Sequence, residues 1–223
     1  LLHGHNSFGE ELVGFPFQST DRIRSSPAIG DVDNDGQMEI VFGNSAGKLY
    51  IINQDGSQQL AYTQLGFIEG APALVDIDGD QDLEIIFTTT TGSGGQVYVI
   101  HHNGATEPGF PKEIGSMFAG PAVHDLDNDG VVDVVCVTYD KEIYAIEAIG
   151  GAIKTGFPFT AESRFSMPAT IVDVDSDGDY EIAAGCNSGD LYVLHHDGTI
   201  HSQYDTGDDI RGGISVCDLN NDG

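Results

Sequence analysis

Acidic residues fall at alternating positions in five short stretches of this chain. The stretches read DVDNDGQMEI from Asp31, DIDGDQDLEI from Asp76, DLDNDGVVDV from Asp125, DVDSDGDYEI from Asp173 and DLNNDG from Asp218. Carboxylates at positions 1, 3 and 5 of a tight turn point to its inside, and a glycine at position 6 permits the bend. Position 7 turns a backbone carbonyl inward, and an acid at position 9 closes the shell. Hard oxygen donors in that number suit Ca²⁺, which takes 6–8 oxygens at about 2.3–2.6 Å. Zn²⁺ prefers imidazole and thiolate, which the loops lack, and Mg²⁺ demands a smaller octahedral shell. Four carboxylates converging with no cation would repel one another strongly. The expected cofactor is therefore Ca²⁺, about one per complete loop.

The expected ligands of the first loop are Asp31, Asp33, Asp35, Gln37 through its carbonyl, and Glu39. Those of the second are Asp76, Asp78, Asp80, Asp82 and Glu84, and those of the third Asp125, Asp127, Asp129, Val131 and Asp133. The fourth set is Asp173, Asp175, Asp177, Asp179 and Glu181; the fifth loop begins with Asp218, Asn220 and Asp222 and has asparagine at position 3. Gln81 stands where the second loop should have its position-6 glycine, so that bend is expected to be strained or reshaped and its affinity lowered. An EF-hand shares the start of such a loop but needs flanking helices and a bidentate Glu at position 12. Here strand-forming runs follow instead, such as Ile40-Val41-Phe42 and Ile85-Ile86-Phe87.

The elements that must hold these loops repeat with them. The first aspartates are spaced by 45, 49, 48 and 45 residues, the period of an array whose units cannot bury an apolar face alone. Each unit opens on a short strand after a proline (Pro27-Ala28-Ile29, Pro72-Ala73-Leu74, Pro121-Ala122-Val123, Pro168-Ala169-Thr170), with Gly213-Ile214-Ser215 as a divergent fifth. The loop, a second strand, a Gly-containing turn and a third strand bearing Tyr50, Tyr98, Tyr144 or Tyr192 follow, then a more variable fourth strand. Four antiparallel strands in roughly 45 residues make the blade of a β-propeller. The expected fold is all-β, one propeller domain over 1–223. Its divisions are 1–17 as the end of a preceding blade, blades at 18–62, 63–111, 112–159 and 160–206, and 207–223 as the start of another. Gly-Phe-Pro steps at Gly14, Gly109 and Gly156 and the recurring tyrosines are expected to pack between blades.

Loops of the form DxDxDGxxD/E followed by an aliphatic and preceded by a small-Pro-Ala strand resemble FG-GAP, or VCBS-type, repeats. Phe118-Ala119-Gly120-Pro121 and Gly70-Ala71-Pro72 lie close to the phrase that named the family. The resemblance covers nearly the whole chain and implies calcium-stabilised propellers, often of seven or eight blades, as in integrin α-subunits, fungal lectins, bacterial surface proteins and some polysaccharide lyases. It leaves function open, because one fold hosts many activities.

Composition narrows the classes. With 36 acidic residues against 8 Lys+Arg and a net charge of −28, the chain lacks the basic footprint of a nucleic-acid binder. No apolar run reaches the ~18 residues of a membrane helix. Cys136, Cys186 and Cys217 are an odd set with no CxxC pairing, which argues against a disulfide framework or a zinc site; Cys136 reads as a small buried hydrophobe.

Other chemistry reads weakly. Gly43-Asn44-Ser45-Ala46-Gly47 matches a nucleophile elbow, but that motif needs a strand–turn–helix and another strand follows. His101-His102 and His195-His196 end third strands, where neighbours face opposite sides, so they read as turn-flanking residues; His124, just before a loop, could support it. Arg22, Arg164 and Arg211 each precede a strand opening and read as salt-bridge partners of neighbouring blades. The functional expectation is a non-catalytic extracellular binding or adhesion module, secreted or at the cell surface, with a protein or glycan ligand on a propeller face. The alternative is a polysaccharide-active enzyme of lyase type, using those arginines, or a lectin.

Overall fold

The computed structural model describes residues 1–217. Four sheets follow one another along the chain, each with four antiparallel strands in sequence order. The first holds β1 (Ala28–Gly30), β2 (Glu39–Gly43), β3 (Lys48–Ile52) and β4 (Gln58–Thr63). The second holds β5 (Ala73–Val75), β6 (Glu84–Thr90), β7 (Gly95–Ile100) and β8 (Lys112–Glu113). The third comprises β9 (Ala122–His124), β10 (Asp133–Val137), β11 (Glu142–Glu147) and β12 (Phe159–Thr160). The fourth comprises β13 (Thr170–Val172), β14 (Glu181–Gly185), β15 (Asp190–Leu194) and β16 (Ile200–Asp205). No helix occurs among the described residues. These are propeller blades.

The proline that opens each unit stands just before the first strand, where its missing N–H breaks no ladder. The three-residue first strands lie side by side, β1 against β5, β5 against β9 and β9 against β13, so they form the inner rim. Fourth strands range from two to six residues. They end at Thr63, Glu113 and Thr160, just past the breaks read from the sequence at 62, 111 and 159. The Gly-Phe-Pro step looks like the end of a unit, yet the residues after it still pair: Lys112 with Val97 and Phe159 with Ile143.

Period-2 alternation decides where the core sits. On β6, Ile85 and Phe87 join a cluster with Val41, Leu49 and Ile51 of the first blade, while Ile86 turns to a second cluster with Val134 and Cys136 of the third. On β10 the next pair divides again: Val135 and Val137 pack with Ile182 and Ala184 of the fourth blade. Each inner strand therefore serves two interfaces, as a strand buried on both faces must. Full burial of each such side chain contributes about 1.5–3 kcal/mol. Residues before the first sheet also pack: Leu2, Phe15 and Phe17 cover Phe42, Tyr50 and Ile52 on its outer face, and Leu2 bridges Phe17.

The Gly-Phe-Pro glycines have a positional reason. Gly14, Gly109 and Gly156 sit at φ of 89°, 93° and 92°. Each abuts the turn between third and fourth strands of the following blade, at Asp55-Gly56, Gly150-Gly151 and Asp197-Gly198, where an added Cβ would overlap backbone.

Candidate metal centres

Each of the four complete loops joins the first strand of a blade to its second, and the four share one internal scaffold. The position-1 carboxylate accepts N–H groups from across the turn: Asp31 from Asp35 (3.0 Å) and Gly36 (2.9 Å), and Asp125 from Asp129 (3.1 Å) and Gly130 (2.9 Å). Asp76 takes those of Gly79 and Gln81, and Asp173 those of Ser176 and Gly178. The position-5 aspartate accepts the N–H of position 7 in each, as Asp35 does from Gln37 at 2.8 Å and Asp177 from Asp179 at 3.0 Å. Asp80 and Asp129 do the same for Asp82 and Val131. The position-9 acid, at the start of the second strand, reaches back to the N–H of position 2: Glu39 to Val32, Glu84 to Ile77, Asp133 to Leu126 and Glu181 to Val174, at 2.9–3.2 Å.

Those closing acids are almost wholly buried. Burial pushes the Glu39 carboxyl above the ordinary range against the opposing Val32 N–H, and nearby Asp33, Asp35 and Asp31 add to the rise. Burial likewise raises Glu84, although the Ile77 N–H and His101 pull the other way.

Backbone handedness explains the second loop. Positions 4 and 6 take positive φ in all four complete loops: Asn34, Asn128 and Ser176 at 54–61° with Gly36, Gly130 and Gly178 at 88–99°. In the second loop the glycine has moved to position 4 (Gly79, φ 80°) and Gln81 takes position 6 at φ 79°. The bend is kept rather than reshaped, and Gln81 carries the strain, about 1–2 kcal/mol for a residue with a Cβ.

Ligand oxygens gather in both loops: Asp31, Asp33 and Glu39 (positions 1, 3 and 9) lie within 4.8 Å of one another, as do Asp76, Asp78 and Asp80 (positions 1, 3 and 5). Asp33 Oδ1 is buried with no hydrogen-bond partner. A buried carboxylate oxygen left without a partner is costly, and a hard cation would satisfy it, so the first loop fits calcium. Asp218, Asn220 and Asp222 lie outside the described residues.

What the spacing did not reveal is the group leaning over each loop from the end of the third strand and the segment beyond it. Over the first loop this is Gln59, whose amide donates to Asp33 Oδ2 at 2.9 Å. Over the second, His101 lies with Nδ1 2.9 Å from Glu84 and Nε2 3.3 Å from Glu107, and His102 lies 3.0 Å from Asp82. Over the fourth, His195 is 3.3 Å from Glu181, His196 is 3.3 Å from Asp179 and His201 is 3.7 Å from Asp175. The paired histidines therefore do more than flank turns: both members face acids of their own blade's loop. Over the third loop stands Lys154, with Nζ 2.8 Å from Asp127 Oδ2 and 2.8 Å from Asp133 Oδ2.

Other candidates resolve simply. Ser45 lies in a β-turn held by Asn44, whose Oδ1 accepts the N–H groups of Ala46 and Lys48, and strand β3 follows. His124 packs edge-on against Tyr180. The expected blade-to-blade salt bridges are not what Arg164 and Arg211 make. Arg164 stacks over the Tyr139 ring at 5.0 Å, and Arg211 pairs with Asp209 in its own segment. His3, His5 and Glu11, unpatterned in the sequence, cluster on the exposed surface. Cys136 and Cys186 are buried and Cys217 is exposed.

A family model described as FG-GAP-like repeat matches residues 31–87 and again 76–136, each span running from one loop into the following blade. Residues 31–136 carry FG-GAP-like repeats. No curated protein sequence matches it. Among solved structures, BamB from Moraxella catarrhalis is similar with a TM-score of 0.62 at 16% identity, over 94% of this chain and 59% of BamB. BBS1N, solved in complex with ARL6DN, gives 0.55 at 15% identity over 82% of this chain and 58% of its own. A quinohemoprotein alcohol dehydrogenase from Comamonas testosteroni gives 0.56 at 15% identity over 75% and 34%. At such identities the likeness is one of fold, and the FG-GAP-like chain spans about three fifths of the first two. Among the described residues, no helix is long and apolar enough to cross a membrane.

Proposed function

We propose that this chain is a calcium-stabilised, non-catalytic propeller module that binds a protein or glycan outside the cell. The observation that carries the reading is the loop scaffold: four loops in which backbone N–H groups fix the aspartates and a buried acid closes the ring. Asp31, Asp33, Asp35, Glu39 and the Gln37 carbonyl would hold the ion of the first loop, and the matching residues those of the second and fourth. Calcium would neutralise carboxylates that otherwise repel and would tie the first two strands of those blades together. Its role is architectural. Millimolar calcium outside cells fits weakly held surface loops of this kind, for which extracellular modules work at about 10⁻⁴–10⁻³ M.

Ligand binding is supported by the rigid array of loops that a propeller presents, and by BBS1N, a similar fold solved with a protein partner. Of the arginines that a lyase would need to stabilise an enolate, Arg164 is stacked on Tyr139 and Arg211 is paired with Asp209, which favours binding over turnover. The test is calorimetric calcium titration of the chain, paired with melts in calcium and in chelator. Saturable binding with a raised melting midpoint supports the reading; heat-silent titration with unchanged melting overturns it.

A further inference from the structure

We propose that Lys154 is a built-in counterion of the third loop, so that this loop keeps its shape without the calcium that its neighbours take. The inference rests on the calcium reading of the other loops and departs from it at Asp125, Asp127, Asp129, Val131 and Asp133.

Lys154 Nζ lies 2.8 Å from one oxygen of Asp127 and 2.8 Å from one oxygen of Asp133, the loop's position-3 and position-9 acids. Those are the two side chains between which a cation would close the shell. The lysine side chain is 9% exposed and Asp133 is fully buried, so the ammonium is held inside the loop. The second oxygens of Asp127 and Asp133 accept no hydrogen bond, but unlike Asp33 Oδ1 they belong to carboxylates that already share an ammonium charge. The two acids hold the Lys154 pKa above its ordinary value although burial opposes this. Asp127 is held low by the same pair despite its own burial, whereas burial wins at Asp133 and raises it.

A calcium ion at about 2.3–2.6 Å from the same oxygens would have to displace the ammonium from both carboxylates at once, and breaking a buried ion pair is costly. The equivalent residue elsewhere is an amide, an acid or an imidazole: Gln59, Glu107 and His201. None of these is a permanent cation. Among the four described loops, the third alone substitutes an internal charge for an external one.

Amide exchange on the intact 223-residue chain, with calcium and with chelator, tests this without a mutation. Calcium should slow exchange at Asp35 and Gly36 roughly tenfold or more, while Asp129 and Gly130 stay protected and change less than about twofold. Slowing of Asp129 and Gly130 in step with Asp35 and Gly36 would overturn the proposal. Native mass spectrometry supplies the second arm: Lys154→Met should take up one more calcium than the wild type, and an unchanged count would overturn it. If no loop responds to calcium, the calcium reading itself fails. Lys154 is then judged by whether Lys154→Met strips Asp129 and Gly130 of protection; retained protection would count against it.

Discussion

Phe87 and Tyr98 face each other across β6 and β7 with ring centroids 4.8 Å apart and planes within 7° of parallel. Tyr62 of the first blade meets both rings edge-on. Phe42 and Tyr50 repeat the pairing one blade earlier at 5.2 Å. In the third and fourth blades the partner shrinks to Cys136 opposite Tyr144 and Ala184 opposite Tyr192. Phe87→Ala should therefore cost about 3–5 kcal/mol. Tyr98→Phe, which loses only the hydroxyl's bond to Gln96, should cost about 0.5–1.5 kcal/mol. Urea denaturation of both variants measures the difference.

Gly156 should tolerate no side chain. Its φ of 92° and the Asp197 carbonyl beside it mean that Gly156→Ala meets strain and overlap together, for a loss of about 2 kcal/mol or more. Gly92→Ala, where a Cβ meets nothing within 4 Å, is the control and should stay within about 0.5 kcal/mol. Thermal melts of the pair decide whether the Gly-Phe-Pro step joins blades.

Asp33→Asn removes a ligand from the loop whose amide neighbours offer no compensating charge. The variant should bind one calcium fewer and lose part of the stability gained in calcium, which for one site at a hundredfold its Kd is roughly 2.7 kcal/mol. Titration calorimetry and melts at matched free calcium read both numbers.

Metal-free protein should lose stability as pH rises out of the acid range through Glu84's contribution. Burial raises its folded pKa above the unfolded value, so the folded state binds the extra proton. That contribution is full below the unfolded pKa and disappears as pH passes the raised one. Glu84→Gln cannot titrate. Its melting midpoint relative to wild type should improve as pH rises from about 4 through the raised pKa of Glu84; a difference independent of pH would contradict the expectation.

Thiol reactivity should follow burial. Cys136 is enclosed, with its thiol pKa pushed up to about 12 by burial, and Cys186 is buried too. A disulfide reagent should modify Cys217 alone in the native chain and all three cysteines after denaturation.

Blade, loop and third-strand tyrosine were legible because each recurs with the period. The covering groups were not. Gln59, Glu107, Lys154 and His201 differ in every repeat, so no letter recurs to mark the position, and only the return of the chain over its own loop brings them to the carboxylates. The histidine pairs did recur. Opposite-face reasoning misplaced them because both members follow the end of the strand, at Ile100 and Leu194. Gly79 at position 4 was a readable sign that the second loop keeps its bend, as a glycine moved by two positions still relieves one of the two left-handed residues.

The two-sided strands carry an implication for how substitutions combine. Val134 and Val135 are consecutive, yet one packs toward the second blade and the other toward the fourth. Double-mutant cycles should find them nearly independent, whereas Val134 with Ile86, or Val135 with Ile182, should couple strongly. Residues adjacent in the chain answer to different neighbours, and compensating changes will be found about one repeat away rather than next door.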